Sequence, residues 1–331
     1  MTGFQFLISR GAAAASLRID SVLLDPTLAA QLTAEGTLVA PRLQDIPLAQ
    51  ALAQLRAAKP PAKPLPQDTA IIEDTTIPGP HGIRMPVRIY RPPGTGPFPA
   101  LLHFHGGGWV GGSISNDDLR CHVTARRAET VIISLDYRLA PEHPFPAGLE
   151  DAYAALLWLH DKAGEIGADA NRIGLSGSSA GANLAIGVTF LTRDRAGPPV
   201  KFQLLAYPVC DTSRSQPSHQ ENAAAPLLTS DMIAWFIRQY LPPGIPADHP
   251  LAAPLRATNL DNLPPALIIT AQCDPLRDEA AAFASRLRDA GIPVTCTCYD
   301  GMVHGFITRA PGHPQSQAAM AQIIGAITEY L

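Results

Sequence analysis

Cysteine, charge and aromatic residues are all thin on this 331-residue chain, and each shortage excludes something. The five cysteines, Cys121, Cys210, Cys273, Cys296 and Cys298, are odd in number and scattered. That pattern argues against a secreted disulfide framework. Cys296 and Cys298 stand two apart in a strand-like run, share a face and are poorly placed to pair with each other. All five therefore read as buried thiols. No CxxC, no HExxH and no tight His/Cys cluster occurs, so neither a metal nor another cofactor is expected. Charged residues make up 16% of the chain and the net charge is −4. With no basic run and no basic-aromatic patch, nucleic acid is excluded as a partner. No apolar run reaches the length of a bilayer span, so no membrane partner is expected. The first twenty residues, "MTGFQFLISRGAAAASLRID", lack a basic residue before their apolar part and are interrupted by Arg10. They read as a cytoplasmic N-terminal extension rather than an export signal.

Two things are abundant: hydrophobic residues, at 46%, and proline, at 33 residues. Apolar runs lie between the prolines, which points to rigid loops around a sizeable core rather than to disorder. Residues 25–57 carry leucines at helical spacing and predict two helices split near Pro41. "KPPAKPLPQ", residues 59–67, reads as a stiff linker and a boundary. Beyond it, 70–78 and 83–91 predict two strands around a "GPHG" turn. Six more apolar runs follow: Pro99 to Phe104, Thr130 to Tyr137, Arg172 to Leu175, Phe202 to Tyr207, Ala266 to Thr270 and Val294 to Tyr299. Helical stretches alternate with them, among them Asp151 to Ala163, Asp278 to Ala290 and Gln315 to Leu331. About eight strands alternating with helices predict an α/β fold with a mostly parallel sheet covered on both faces. Residues 211–250, around "LLTSDMIAWFIRQYL", break the rhythm as an inserted helical segment. In such sheets ligands bind beyond the carboxyl ends of the strands. Candidate chemistry is therefore sought directly after a strand.

The stretch "GLSGSSAGA", residues 174–182, lies between a strand and a helix. Only Ser179 has glycine at both −2 and +2, Gly177 and Gly181. G-x-S-x-G at a strand-to-helix turn strains the serine backbone and lifts its Oγ out of the sheet. The same turn puts the Ala180 N–H at a helix N-terminus, where it meets negative charge. Ser176 and Ser178 read as small turn residues. A nucleophilic serine needs a base, and the base needs an orienting acid. Two histidines follow the last strand. His304, in "YDGMVHGF", comes straight after it and is the better base; His313, in "PGHPQ", sits at a helix start. Asp274 directly follows the strand ending in "IITAQ" and is favoured as the acid, with Asp278 one turn on as the fallback. Asp274 also reads as an N-cap with Pro275 at N1. "HFHGGGWVGGS", residues 103–113, follows a strand with three glycines after a histidine, which suits an oxyanion hole of backbone N–H groups. Trp109, Met232, Trp235 and Phe236 either line an apolar pocket or fill a core.

Five segments together resemble the hormone-sensitive-lipase group of bacterial esterases: "HGGG" at 105–108, "DYRLAPEHPFPA" at 136–147, 177–181, "DPLRDE" at 274–279 and "HGF" at 304–306. The resemblance covers about residues 25–331. It implies the α/β-hydrolase fold and a serine carboxylesterase acting on short to medium acyl esters with water. It further implies Ser179, Asp274 and His304 as the triad, and Gly107, Gly108 and Ala180 as oxyanion donors. The organisation it implies is an extension with cap helices over 1–60, a catalytic domain over 61–210 and 251–331, and a cap insertion over 211–250. Two positions depart from the group's usual motif: Ser178 stands in place of Asp, and Ala182 in place of the last Gly. The expected assembly is a monomer or homodimer. An amide or peptide hydrolase, or a non-catalytic small-molecule binder on the same fold, are the alternatives.

Overall fold

Eight apolar runs become eight strands of one sheet. The computed structural model describes residues 18–19, 22–57 and 70–331. The proline stretch at 59–67 and most of the N-terminal extension lie outside the described residues. The strands are β1 (Ile71–Pro78), β2 (Arg84–Arg91), β3 (Phe98–Phe104), β4 (Val131–Leu135), β5 (Ala168–Ser178), β6 (Phe202–Ala206), β7 (Ala266–Cys273) and β8 (Val294–Val303). Their order in the sheet is β1-β2-β4-β3-β5-β6-β7-β8. β2 runs antiparallel to both its neighbours, and every other pairing is parallel. β4 and β6 are buried along their whole length, as strands covered on two faces must be. β1, on the edge, buries only Ile77.

Three strands run further than their apolar stretches predict. β5 continues to Ser178, β7 to Cys273 and β8 to Val303. The ladder carries them: Ser176, Gly177 and Ser178 pair with Leu204, Leu205 and Ala206. β8 reaches Val303 through a register break after Tyr299. Backbone pairing does not depend on side-chain polarity, so hydropathy stops short of the true strand ends. As a result, residues 179, 274 and 304 each directly follow a strand.

The helices are α1 (Pro26–Ala34), α2 (Leu48–Arg56), α3 (Asp118–Arg127), α4 (Ala147–Lys162), α5 (Ala180–Asp194), α6 (Ser218–Glu221), α7 (Ser230–Tyr240), α8 (Arg277–Asp289), α9 (Phe306–Arg309) and α10 (Pro314–Tyr330). No described helix is long and apolar enough to cross a membrane. The two expected N-terminal helices are α1 and α2, and α7 lies inside the expected insertion. α7 is capped by the Thr229 hydroxyl, which accepts from the Met232 N–H at 3.1 Å.

Among the described residues, two apolar clusters form. Leu149, Leu184 and Phe283 share one with Ala51 of α2 and with Met232, Trp235 and Phe236 of α7. Phe202, Ile323 and Phe306 share the other with Leu28 and Leu32 of α1. The two N-terminal helices are therefore anchored in different clusters. The cysteine expectation holds for Cys121, Cys210 and Cys273, which are buried, and fails for Cys298, which is exposed on edge strand β8; all five are unpaired. Cys296 is half-buried.

Candidate active site

The turn between β5 and α5 is tight in a way that explains its composition. Ser179 has φ 55° and ψ −121°, a conformation costly for any residue with a side chain. A Cβ on Gly177 would collide with the Gly181 carbonyl, and one on Gly181 with the Phe104 carbonyl. Glycine at −2 and +2 is therefore required by backbone contact. The strained serine is held by its N–H, which donates to the Ala206 carbonyl at 2.9 Å.

Three side chains converge at the ends of β5, β7 and β8. His304 Nε2 stands 2.9 Å from Ser179 Oγ. His304 Nδ1 stands 2.7 Å from Asp274 Oδ2. A carboxylate only accepts, so Nδ1 carries the ring proton and Nε2 is left to accept from the serine hydroxyl. Asp274 is fully buried. Its Oδ1 accepts from the Leu276 N–H at 2.9 Å, and this local turn fixes the carboxylate. Here the structure corrects one detail of the sequence reading. α8 begins at Arg277 with Leu276 as its N-cap residue, so Asp274 closes a turn before the helix rather than capping it.

The two alternatives are occupied elsewhere. Asp278 pairs with Arg277 at 2.7 Å and accepts from the Ser218 N–H at 3.0 Å, tying the inserted segment to α8. His313 lies 3.1 Å from Asp25 and accepts from the Gln315 N–H, so it caps α10.

The glycine loop after β3 passes beside this trio. Gly106 abuts the serine turn: a Cβ there would lie 3.1 Å from the Ser178 carbonyl oxygen and 3.4 Å from Ser179 Cβ. Gly107 (φ 133°) and Gly108 (φ 62°) adopt backbone angles that disfavour a side chain. At Gly108 a Cβ would also run into the Phe236 ring. Among the described residues, the N–H groups of Gly107, Gly108 and Ala180 make no backbone hydrogen bond outside regular structure. The loop closes on itself where the Gly111 N–H donates to the Gly107 carbonyl at 2.9 Å, and it is braced from outside by the Tyr137 hydroxyl, which donates to the His105 carbonyl at 2.8 Å. The His105 and Tyr137 rings stack at 4.3 Å. His105 is fully enclosed, and that burial lowers its pKa against the opposing hydrogen bond to the Gly106 carbonyl.

The four tentative pocket residues are all buried. Trp109 stacks on Tyr240 at 4.2 Å with the two rings nearly parallel, and so joins the loop to α7. Trp235 meets Phe236 edge-on at 5.5 Å. Trp109 belongs to the glycine loop, and of the three residues on α7 Phe236 is placed against that loop by its contact at Gly108. Ser178, one of the two departures, buries an Oγ with no hydrogen-bond partner.

Sequence reading passed over several residues that shape the site. Arg56, at the end of α2, donates to the carbonyls of Val110 and Ala140 at 2.9 Å each and pairs with Glu142. Arg138 is fixed on buried Asp151. Asn183 donates to the carbonyls of Val209 and Ala252. Tyr207, at φ 40°, sets its ring 4.9 Å from that of His304. None of these announces itself locally; the "RLAPEH" run is the one signal, and it pointed to the family rather than to Arg56. Among the described residues, no group of three His, Cys, Asp or Glu side chains stands in a metal-holding arrangement.

The arrangement can draw a proton from a serine hydroxyl and present backbone N–H groups beside it. Comparison with known proteins agrees in kind. A family model described as the α/β-hydrolase fold matches residues 101–308. Carboxylesterase NlhH of Mycobacterium tuberculosis is 40% identical over 286 residues, covering 85% of this chain and 89% of its own. Ethyl acetate hydrolase of Pseudomonas putida is 35% identical over 266 residues, covering 78% and 83%. Among solved structures, a hyperthermophilic esterase from the archaeon Pyrobaculum calidifontis is 37% identical with TM-score 0.80, covering 92% of this chain and 98% of that one.

Proposed function

Because the chain belongs to the hormone-sensitive-lipase-like branch of the α/β-hydrolase fold family, we propose that it hydrolyses carboxylic esters of short to medium acyl length through an acyl-enzyme. The observation that carries this reading is the unbroken relay from Ser179 through His304 to Asp274, at 2.9 and 2.7 Å.

In this reading His304 Nε2 takes the Ser179 proton as Oγ attacks the ester carbonyl carbon. The imidazolium formed is stabilised by Asp274, which also holds the ring in the tautomer that accepts at Nε2. The carbonyl oxygen gains negative charge and is met by the N–H groups of Gly107, Gly108 and Ala180. Donors fixed before the charge appears need no reorganisation when it does. His304 returns the proton to the departing alkoxide, and the alcohol leaves. Water then enters, loses a proton to His304 and attacks the acyl carbon, releasing the acid and restoring Ser179. Phe236, lying on the glycine loop, is the best placed of the four apolar candidates to contact the substrate, and Trp109 serves as packing between loop and helix.

The reading extends to organisation and location. α2, α7 and the rest of 211–250 form a cap over the catalytic domain, and the protein works in the cytoplasm as a monomer or homodimer. Five unpaired cysteines support a reducing compartment. A fluorophosphonate probe followed by peptide mapping, together with a p-nitrophenyl ester series from acetate to dodecanoate, tests the core of the proposal. Labelling at Ser179 with turnover highest on the shorter esters is the expected result. No labelling, or label on another serine, overturns it.

A further inference from the structure

The turn that carries Asp274 is held from the inserted segment. β6 pairs with β7 only as far as Ile269, and past its register break β8 meets β7 again at Cys273. The carbonyls of Gln272, Asp274 and Pro275 therefore lie at or beyond the end of regular pairing, and interior carbonyls need donors. The short helix α6 supplies them. Asn222, at its C-terminal end, donates through Nδ2 to the carbonyls of Gln272 and Asp274, at 3.2 Å each. The Ser218 hydroxyl donates to the Pro275 carbonyl at 2.6 Å.

Both side chains are fully buried. The neighbours of Asn222 Nδ2 are carbonyl oxygens, which only accept, so the amide must turn its nitrogen to them and uses both N–H groups there. Its own Oδ1 is left buried without a partner. A buried amide oxygen without a donor is destabilising, so the placement satisfies the acid's turn ahead of Asn222 itself. α6 is fixed in its own right. His219 Nε2 lies 2.8 Å from Glu279, a buried carboxylate that also accepts from the Cys210 and Asp211 N–H groups at 2.7 and 3.2 Å. The Ser218 N–H donates to Asp278 at 3.0 Å, and the Asp278 N–H donates to the Ser218 hydroxyl at 3.1 Å. The supported turn also reaches the histidine: the side-chain oxygen of Gln272 accepts at 2.7 Å from the N–H of Gly301, on the segment leading to His304.

We propose that Asn222, with Ser218 beside it, is a positioning residue for the acid of the relay. It acts through the backbone. By fixing the carbonyls on either side of Cys273 it sets where the Asp274 carboxylate meets His304 Nδ1. The inserted segment then helps to build the relay as well as lying over it. The effect on turnover rests on the ester-hydrolase reading; the effect on the His304–Asp274 contact does not.

Asn222→Leu keeps the volume and removes both donors. On p-nitrophenyl butyrate its kcat should fall about 10- to 100-fold, the scale for a small misplacement of a catalytic group. KM should stay within about threefold, as for a loss felt in the transition state. A purely structural role would lower the melting temperature and leave the relay of the folded protein unchanged, and two readouts separate the cases. In an Asp274→Asn background, Asn222→Leu should change kcat less than about threefold, because the group it positions is already disabled. The proton between His304 Nδ1 and Asp274 gives a far-downfield NMR signal, which should move upfield or vanish in Asn222→Leu. Ser218→Ala adds no atom to a buried site and should show the same pattern in weaker form; it carries the test if Asn222→Leu does not fold, which circular dichroism checks. Three results overturn the proposal in the folded variant: kcat within threefold of wild type, an equal loss of kcat with and without Asp274→Asn, or an unmoved downfield signal. Absence of ester turnover in the wild-type protein counts against the ester-hydrolase reading alone, and the NMR signal, which needs no substrate, then decides the positioning role.

Discussion

The Nε2 atom of His304 lies 2.9 Å from the Oγ of Ser179, 125 positions away in the chain. The pair is held from both sides. A strained backbone presents the hydroxyl, and a buried carboxylate, itself bound by the Leu276 N–H, orients the ring. Each support can be removed separately.

Asp274→Asn keeps the shape of the acid but turns an acceptor into a group that can also donate. His304 then loses its enforced tautomer and the charge that stabilises the imidazolium. Ester turnover should fall about 10,000-fold with the fold intact, whereas Ser179→Ala should fall further still. Steady-state kinetics on p-nitrophenyl butyrate beside a thermal melt would decide this. An Asp274→Asn enzyme within tenfold of wild type would remove Asp274 from the relay.

Gly108→Ala introduces a methyl group that the Phe236 ring already occupies, at a φ of 62° that disfavours it. The loop must shift, and one backbone donor with it. The expected cost is about 100-fold in kcat, the scale for losing an oxyanion donor. Adding Phe236→Ala relieves the collision but not the backbone strain, so the double variant should recover part of the loss. If the double variant is simply worse than either single one, the collision is not the cause.

Arg56→Ala tests the brace between α2 and the glycine loop. It deletes hydrogen bonds to the Val110 and Ala140 carbonyls and the pair with Glu142. Because the ion pair is partly exposed, the carbonyl contacts dominate, and a loss of about 2 kcal/mol in unfolding free energy is expected. Urea denaturation measures it. A change below about 0.5 kcal/mol, the level of an ordinary surface substitution, would mean the contacts are idle.

Acid sensitivity should begin near neutrality. Burial lowers the pKa of His103, with Arg120 adding to the effect and the Asp117 hydrogen bond opposing it; burial also lowers that of His105. Both therefore take up protons at lower pH in the folded protein than in the unfolded chain, whose histidines protonate at about pH 6.5. The unfolded state therefore binds more protons below that pH, and stability falls as pH drops through 6.5 while staying flat above it with respect to these two groups. Each histidine contributes up to about 1.4 kcal/mol per pH unit. Denaturation midpoints at pH 8, 7, 6 and 5 should show this bend, reduced in His103→Gln. Equal midpoints at pH 8 and pH 5 would contradict it.

Much of this could be read from the chain. G-x-S-x-G and most of the HGGG run are local: Gly177, Gly181 and Gly107 answer collisions with backbone a few residues away or on the adjoining strand, and Gly108 alone also answers a distant side chain, the Phe236 ring. The interior strands were marked by their apolar runs because they bury their side chains on two faces, whereas edge strand β1 buries only Ile77. Strand ends were legible only roughly, since backbone pairing carries β5, β7 and β8 past their apolar stretches. Cys298 was misjudged because periodicity does not say which strand will be the edge. Arg56, Tyr137 and Tyr207 were passed over because their partners are carbonyls and rings far away in sequence.

The sequence by itself determined the alternation of strand and helix, the residues able to do acyl chemistry, and the turns that must be glycine. Only the tertiary structure decided that His304 rather than His313 faces Ser179, that Asp274 rather than Asp278 stands behind it, and that Asn222 donates to the Asp274 carbonyl. The physical reason is range. Backbone sterics and hydropathy act over a few residues and leave their mark in composition, whereas a hydrogen bond between residues 125 positions apart exists only once the sheet has set the strand ends side by side.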